Sequence, residues 1–219
     1  TPVLTFTDAG ALSDLGRYAS RARAVDDDAA VRLQTFGPVL AAYVGVLPGS
    51  GLLGEGLVLG LRTFRITENR DGVAGEIDVS VPAAAITDRT QRTPGAATLP
   101  VPTTQVHPTW SSIIPPRSGW EYAGVAEADD LAAVARDGLE QVSAAVKERG
   151  AAAGFTKQQV WAQEVTFNSD DPAAAIGLGA GVALAAYALG FLTPGGRVEV
   201  FRTNRWTRVS GPGGHVLAR

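Results

Sequence analysis

Six of the chain's 13 prolines fall between Thr93 and Gly119, and across that stretch neither a helical nor a strand periodicity of apolar residues survives. Proline lacks the amide proton that helices and sheet ladders need, and it pushes the residue before it away from helical angles. The middle of the chain is therefore closed to a long helix or a central strand, and regular elements are confined to the two flanks. The expected organisation is an α+β subdomain over 1–92, a proline-rich strap over 93–119, and a helical subdomain with a C-terminal β-hairpin over 120–219. Connections longer than about 15 residues are uncommon inside compact proteins. This one carries apolar anchors at Trp110, Ile113, Ile114 and Trp120, so it is expected to lie ordered against the body of the protein.

The N-terminal flank reads as a short strand at Val3 to Thr7, then an amphipathic helix with Leu12, Leu15, Tyr18, Ala22 and Val25 on one face and Thr7 or Asp8 as its cap. Val31, Leu33 and Thr35 alternate with polar neighbours, and Gly37-Pro38 breaks the run before the apolar segment Val39 to Leu47, which makes a hairpin. Leu57 to Thr67 reads as a long strand. Ile77, Val79 and Val81 alternate across a turn containing Asp71 and Gly72, so the two are expected to pair antiparallel. Pro82 opens a short helix over Ala83 to Arg89. The fold class is thus α+β, with a mainly antiparallel N-terminal sheet and two helices.

In the C-terminal flank, Leu131, Val134, Ala135, Leu139, Val142 and Val146 repeat at helical spacing, with Asp129 and Asp130 at one end and Lys147, Arg149 and Gly150 at the other. Thr156 and Gln159 fit a capping box, yet Val160, Trp161, Val165 and Phe167 also suit a strand, which leaves residues 156–167 open between the two. An Ala-rich helix is expected from Asp171 to Leu192, and a hairpin over Val198 to Val209.

Several functions are excluded by residue type. Without cysteine there is no thiol nucleophile, thiolate metal site or disulfide. His107 and His215 are the only histidines, and neither has a neighbour at metal-ligand or triad spacing. The cluster from Gly49 to Gly56 lacks the Lys and Ser or Thr of a phosphate loop, and Gly177, Gly179 and Gly181 fall inside the expected helix. No metal or cofactor is expected. The uncharged run Pro172 to Gly196 is long enough to span a bilayer, but between Ala173 and Leu192 eight Ala and four Gly against seven strongly apolar residues favour a buried helix. With no leader pattern in view, a cytoplasmic protein is expected.

Pro115-Pro116-Arg117-Ser118-Gly119-Trp120-Glu121 and the closing Arg205-Trp206-Thr207-Arg208 to Gly214-His215-Val216-Leu217 resemble segments of an uncharacterised family of conserved actinobacterial proteins. The resemblance implies an actinobacterial cytoplasmic protein and transfers no functional residue.

Charge gives the functional expectation its direction. Residues 120–171 carry −6 and residues 197–219 carry +4 within a chain of net −3. With the hairpin turn centred on Thr203 and Asn204, Phe201 stands opposite Trp206 and Glu199 opposite Arg208, while Val198, Val200, Thr207 and Val209 face inward. Phe201 and Trp206, ringed by Arg202, Arg205 and Arg208, make the candidate binding surface for an acidic partner or a second copy. The helix-and-hairpin order resembles a winged helix, but Ala173 to Leu192 offers no base-reading side chain, so no nucleic acid is expected. The expectation is a non-enzymatic binding or scaffolding protein. The alternative is a small-molecule binding protein or hydrolase using a cleft between the halves, near His107, Glu55 or Asp78.

Overall fold

A computed structural model describes residues 1–51, 53–67, 76–167 and 174–219. The expected turn at Asp71 and Gly72, and Asp171 and Pro172 at the start of the expected Ala-rich helix, lie outside the described residues. The chain forms two compact units, one of Thr1–Pro48 with Gly60–Ile114 and one of Gly49–Leu59 with Pro115–Arg219. The architecture is α+β, and no described helix is long and apolar enough to cross a membrane.

The first unit opens with β1 (Val3–Thr5) and α1 (Ala9–Val25). Asp8 caps α1, its Oδ1 accepting from Ala11 N at 2.8 Å. Leu12, Leu15, Tyr18, Ala19 and Ala22 are buried at helical spacing, while Ser13, Arg17, Ser20 and Arg21 stay in water. β2 (Ala30–Phe36) and β3 (Val39–Ser50) form the expected hairpin, with Gly37 at φ 53° in its turn. β4 (Glu55–Arg65) lies beside β3. β5 (Asp78–Pro82) corrects the expected pairing, because it runs antiparallel to β2, with Gln34 opposite Asp78 and Val31 opposite Val81. The alternation of Ile77 to Val81 suits either partner; β2 offers its free edge and also Arg32, which holds Asp78. α2 (Ala83–Arg92) follows, and β6 (Thr98–Pro100) pairs antiparallel with β1.

The proline-rich stretch to Ile114 is tied to this unit through its backbone. Val101 N donates to Pro2 O and Val106 N to Ser80 O, each at 2.9 Å. Trp110 is only 8% exposed, and its indole sits so close to Gly45 that any Cβ there would collide with it. Arg32 closes the arrangement. It donates from Nε and Nη2 to the two carboxylate oxygens of Asp78 at 2.7 Å each, and from Nη1 to Ser111 O at 2.9 Å.

In the second unit, β7 (Glu121–Glu127) leads into α3 (Ala128–Arg149), which ends at Gly150 with φ 55°. Residues 156–167 prove to be both alternatives in turn: α4 (Gly154–Ala162), then β8 (Glu164–Phe167). The helix starts ahead of Thr156, which therefore caps nothing. The expected helix through Leu192 is also corrected. β9 (Ile176–Gly179) pairs antiparallel with β8, and α5 (Ala180–Ala188) begins only after it. Gly177 and Gly179 thus lie in a strand and Gly181 in a helix, but the strand belongs to an antiparallel ribbon rather than a parallel nucleotide-binding sheet. β10 (Arg197–Thr203), β11 (Trp206–Gly211) and β12 (Gly214–Ala218) complete the unit, in the order β4, β12, β11, β10, β7. Their inner face is apolar, with Ala126, Val198, Val200, Val209 and Val216 all buried. α5 is buried on nearly every side because Ala and Gly let neighbouring backbones come close.

Two outcomes are expected. Arg32 is buried and Asp78 half exposed, so Asp78→Ala strands a buried guanidinium and should lower stability by roughly 2–4 kcal/mol. The hydrogen bonds from Arg32 hold the Asp78 carboxyl below its ordinary range, so its contribution is complete above that range and disappears as pH falls through the lowered value. Urea unfolding at neutral and acid pH should show the difference between wild type and Asp78→Ala shrinking with acid; a constant difference would contradict the ion-pair account. In α3, a Cβ on Gly138 would collide with the buried indole of Trp161. Gly138→Ala should therefore destabilise by about 1–3 kcal/mol, although the same change on an open helix surface stabilises by about 1. A rise in the melting temperature would contradict this packing.

Candidate functional site

The outward face of the second unit's sheet is set by a two-residue turn. Asn204 takes φ 46°, a left-handed conformation that β-branched Thr203 resists, so the turn is Asn204-Arg205 rather than Thr203-Asn204. Thr203 then pairs with Trp206, Phe201 with Arg208, and Glu199 with Ser210. The expected partners are wrong by one residue on each strand, yet the division between faces is kept because a shift of two in total preserves the alternation. On β12, Leu217 stands opposite Arg208 and His215 opposite Ser210; on β7, Tyr122 stands opposite Phe201.

Arg208 is at the centre. Its guanidinium carbon lies 4.3 Å from the Phe201 ring centroid and 5.0 Å from that of Trp120. Tyr122 meets Phe201 edge to face at 5.8 Å and is 61% exposed. Trp120 is positioned by the turn before β7, its indole N–H donating to Pro116 O at 3.1 Å. Arg219 lies 5.9 Å from the ring of Trp206, which is buried. Cation–π contacts of this kind are worth about 0.5–1 kcal/mol when exposed and about 2 when desolvated.

The electrostatics are those of a partly dehydrated cationic surface. Burial lowers the pKa of Arg208 and the charge of Glu199 opposes that shift, while its Nε is shielded from solvent with no hydrogen-bond partner among the described residues. Burial, and then the charge of Arg208, push the His215 imidazole below the ordinary histidine range, which keeps it neutral at neutral pH. Its Nδ1 is 2.8 Å from Ser210 Oγ.

Of the five residues singled out in the sequence, Phe201, Trp206 and Arg208 share this face. Arg202 faces the other side, donating from Nη2 to Gly177 O at 2.8 Å, and Arg205 is exposed in the turn. Sequence reasoning missed Trp120, Tyr122 and Arg219. Alternation along Glu121 to Glu127 would have set Tyr122 inward with Gly124 and Ala126, and a β-bulge at Ala123, opposite the step from Val200 to Phe201, turns it outward; Trp120 reaches the face only through a fold of the strap. Of the residues weighed for catalysis, His107 and Glu55 are exposed, and Asp78 is held by Arg32 and Gln34. Among the described residues no three His, Asp or Glu side chains stand close enough to hold a metal ion.

The fold is that of known proteins. The DNA polymerase sliding clamp of Caulobacter crescentus is similar at a TM-score of 0.55 and 11% identity, covering 100% of this chain and 65% of that one. The DNA polymerase III beta subunit of Pseudomonas aeruginosa has a TM-score of 0.55 at 11% identity, covering 100% and 64%. The beta clamp of H. pylori has 0.55 at 8%, covering 100% and 63%. The chain thus spans a little under two thirds of the length of these relatives, and at such identities the likeness is one of fold alone. No curated protein shows a significant sequence match. Residues 115–219 match the family described as Domain of unknown function (DUF8185), and the boundary falls where the chain passes from the first unit to the second. Over residues 1–112 it matches the family described as Domain of unknown function (DUF8010), and the chain belongs to that family.

Proposed function

We propose that this chain is a non-catalytic scaffold that binds a protein partner through the face built by Trp120, Tyr122, Phe201 and Arg208. The observation that carries the reading is the arginine stacked over two aromatic rings beside an exposed tyrosine. Trp, Tyr and Arg dominate the centres of protein interfaces. The fold neighbours support it, since they are named as a clamp and as a subunit of a polymerase, roles exercised through association. Trp206 underpins the face from within, while Arg205, exposed in the turn, stands at its edge as a rim charge.

The test is affinity capture from the source organism, followed by reconstitution of the complex from purified components. Tyr122→Ser with Phe201→Ser should weaken it 30-fold or more, as loss of roughly 2 kcal/mol or more of hot-spot contact does. An unchanged dissociation constant with a correctly folded variant would remove this face from the function.

A second reading rests on a different observation. Along α1 the exposed row Ser13, Arg17, Ser20 and Arg21 borders a groove of about 480 Å³, closed on its other side by Thr90, Gln91 and Thr93. Two fold neighbours are named for DNA polymerase, so the expectation that nucleic acid plays no part is not retained. Labelled duplex DNA should bind with an affinity that falls steeply with salt, and Arg17→Gln with Arg21→Gln should reduce that salt slope by about two. Absence of salt-dependent binding at 50 mM salt would dismiss it.

A further inference from the structure

We infer that the partner presents carboxylates to Arg208 and Arg219, so that the face takes an extended acidic peptide with apolar residues beyond its charges on the same side. This rests on the docking reading above and names the chemistry of what docks.

Both arginines differ from those that pair within the chain, and they share with Arg23 a shielded Nε that has no acceptor, though Arg23 donates from Nη1 to Thr87 Oγ1. Arg17, Arg32, Arg62 and Arg197 pair with carboxylates at 4 Å or less, and Arg202 donates to a backbone carbonyl. Arg208 and Arg219 have no ion pair among the described residues, and the Nε of each is shielded from water without an acceptor. They are neighbours. Arg208 faces Leu217 across β11 and β12, and Arg219 is two residues further on, beside Trp206 and on the same side of the sheet. Among the described residues no acid stands in ion-pair contact with them: Glu199 acts on Arg208 through its charge alone, and His215 is engaged with Ser210.

Two stacked, partly dehydrated guanidinium groups with no carboxylate in ion-pair contact among the described residues leave a positive potential over an aromatic floor. A carboxylate matches the planar fork of a guanidinium with paired donors, and contacts of this type are about twice as strong as neutral hydrogen bonds. Diagonal neighbours on a sheet face are about 7–8 Å apart. Alternate residues of an extended peptide lie on one side at roughly 6.5–7 Å, close to that spacing. A segment with acids at alternate positions therefore reaches both arginines at once. Apolar side chains at the next alternate positions, on the same side of the peptide, meet Phe201, Tyr122 and Trp120.

The probe is a fluorescein-labelled decapeptide with Ser at every second position and, at the others, two Asp followed by Leu and Phe, compared by anisotropy with the same peptide carrying Asn for Asp. The intact chain should bind the acidic peptide at least tenfold more tightly. Arg208→Gln with Arg219→Gln should abolish that preference, whereas Arg136→Gln on α3 should leave it within twofold. The Asp-to-Asn comparison uses unaltered protein and so does not depend on how any variant folds. Equal binding of both peptides, lost together in Tyr122→Ser with Phe201→Ser, overturns the carboxylate inference while leaving the docking face standing. Binding of neither peptide overturns it as well. So does an Arg208-dependent dimer in sedimentation of the chain alone, which would make a second copy the occupant.

Discussion

A guanidinium drawn out of water must find acceptors for its donors, and in the first unit that demand organises everything around Arg32. Two of its nitrogens take Asp78, which fixes β5 on β2, and a third takes Ser111 O, which anchors the proline-rich stretch. Trp110 then covers Gly45 at a distance that admits no side chain. The strand pairing, the path of the strap and the buried tryptophan thus share one origin. Arg208 presents the contrary case: aromatic faces and a neutral histidine surround it, and the carboxylate that Arg32 finds within its own chain is missing among the described residues.

Much of the fold was legible because period and punctuation agree. Asp8 before an apolar stripe, Gly37-Pro38 between two strands, and the charged ends of α3 each state an element in local terms. What failed did so where local information is silent. Either partner satisfies the alternation in Ile77 to Val81, and the choice belongs to Arg32, 46 residues away. Alanine favours helices, so the Ala-rich run suggests a single helix, but Gly177 and Gly179 lower that preference and β8 supplies a ladder for Ile176 to Gly179. Propensity gave way to a pairing that only the assembled unit provides.

The candidate face was half legible for the same reason. Phe201, Trp206 and Arg208 lie on one hairpin and could be placed by alternation alone. Trp120, Tyr122 and Arg219 come from the end of the strap, a neighbouring strand and the residue beyond β12, and only the sheet order β12, β11, β10, β7 unites them. The same order separates Arg202 from them by turning it toward β9.

The turn at Asn204-Arg205 has a consequence for how such a surface tolerates change in length. Moving it by one residue exchanges every cross-strand partner and still leaves the valines inward and the rings outward. A symmetric insertion, one residue on each arm, lengthens the hairpin without turning it inside out. An insertion on one arm alone would send Arg208 into the core and Val209 into water unless a bulge absorbed it. Parity, more than any single contact, is the property that descent with insertions would have to respect here.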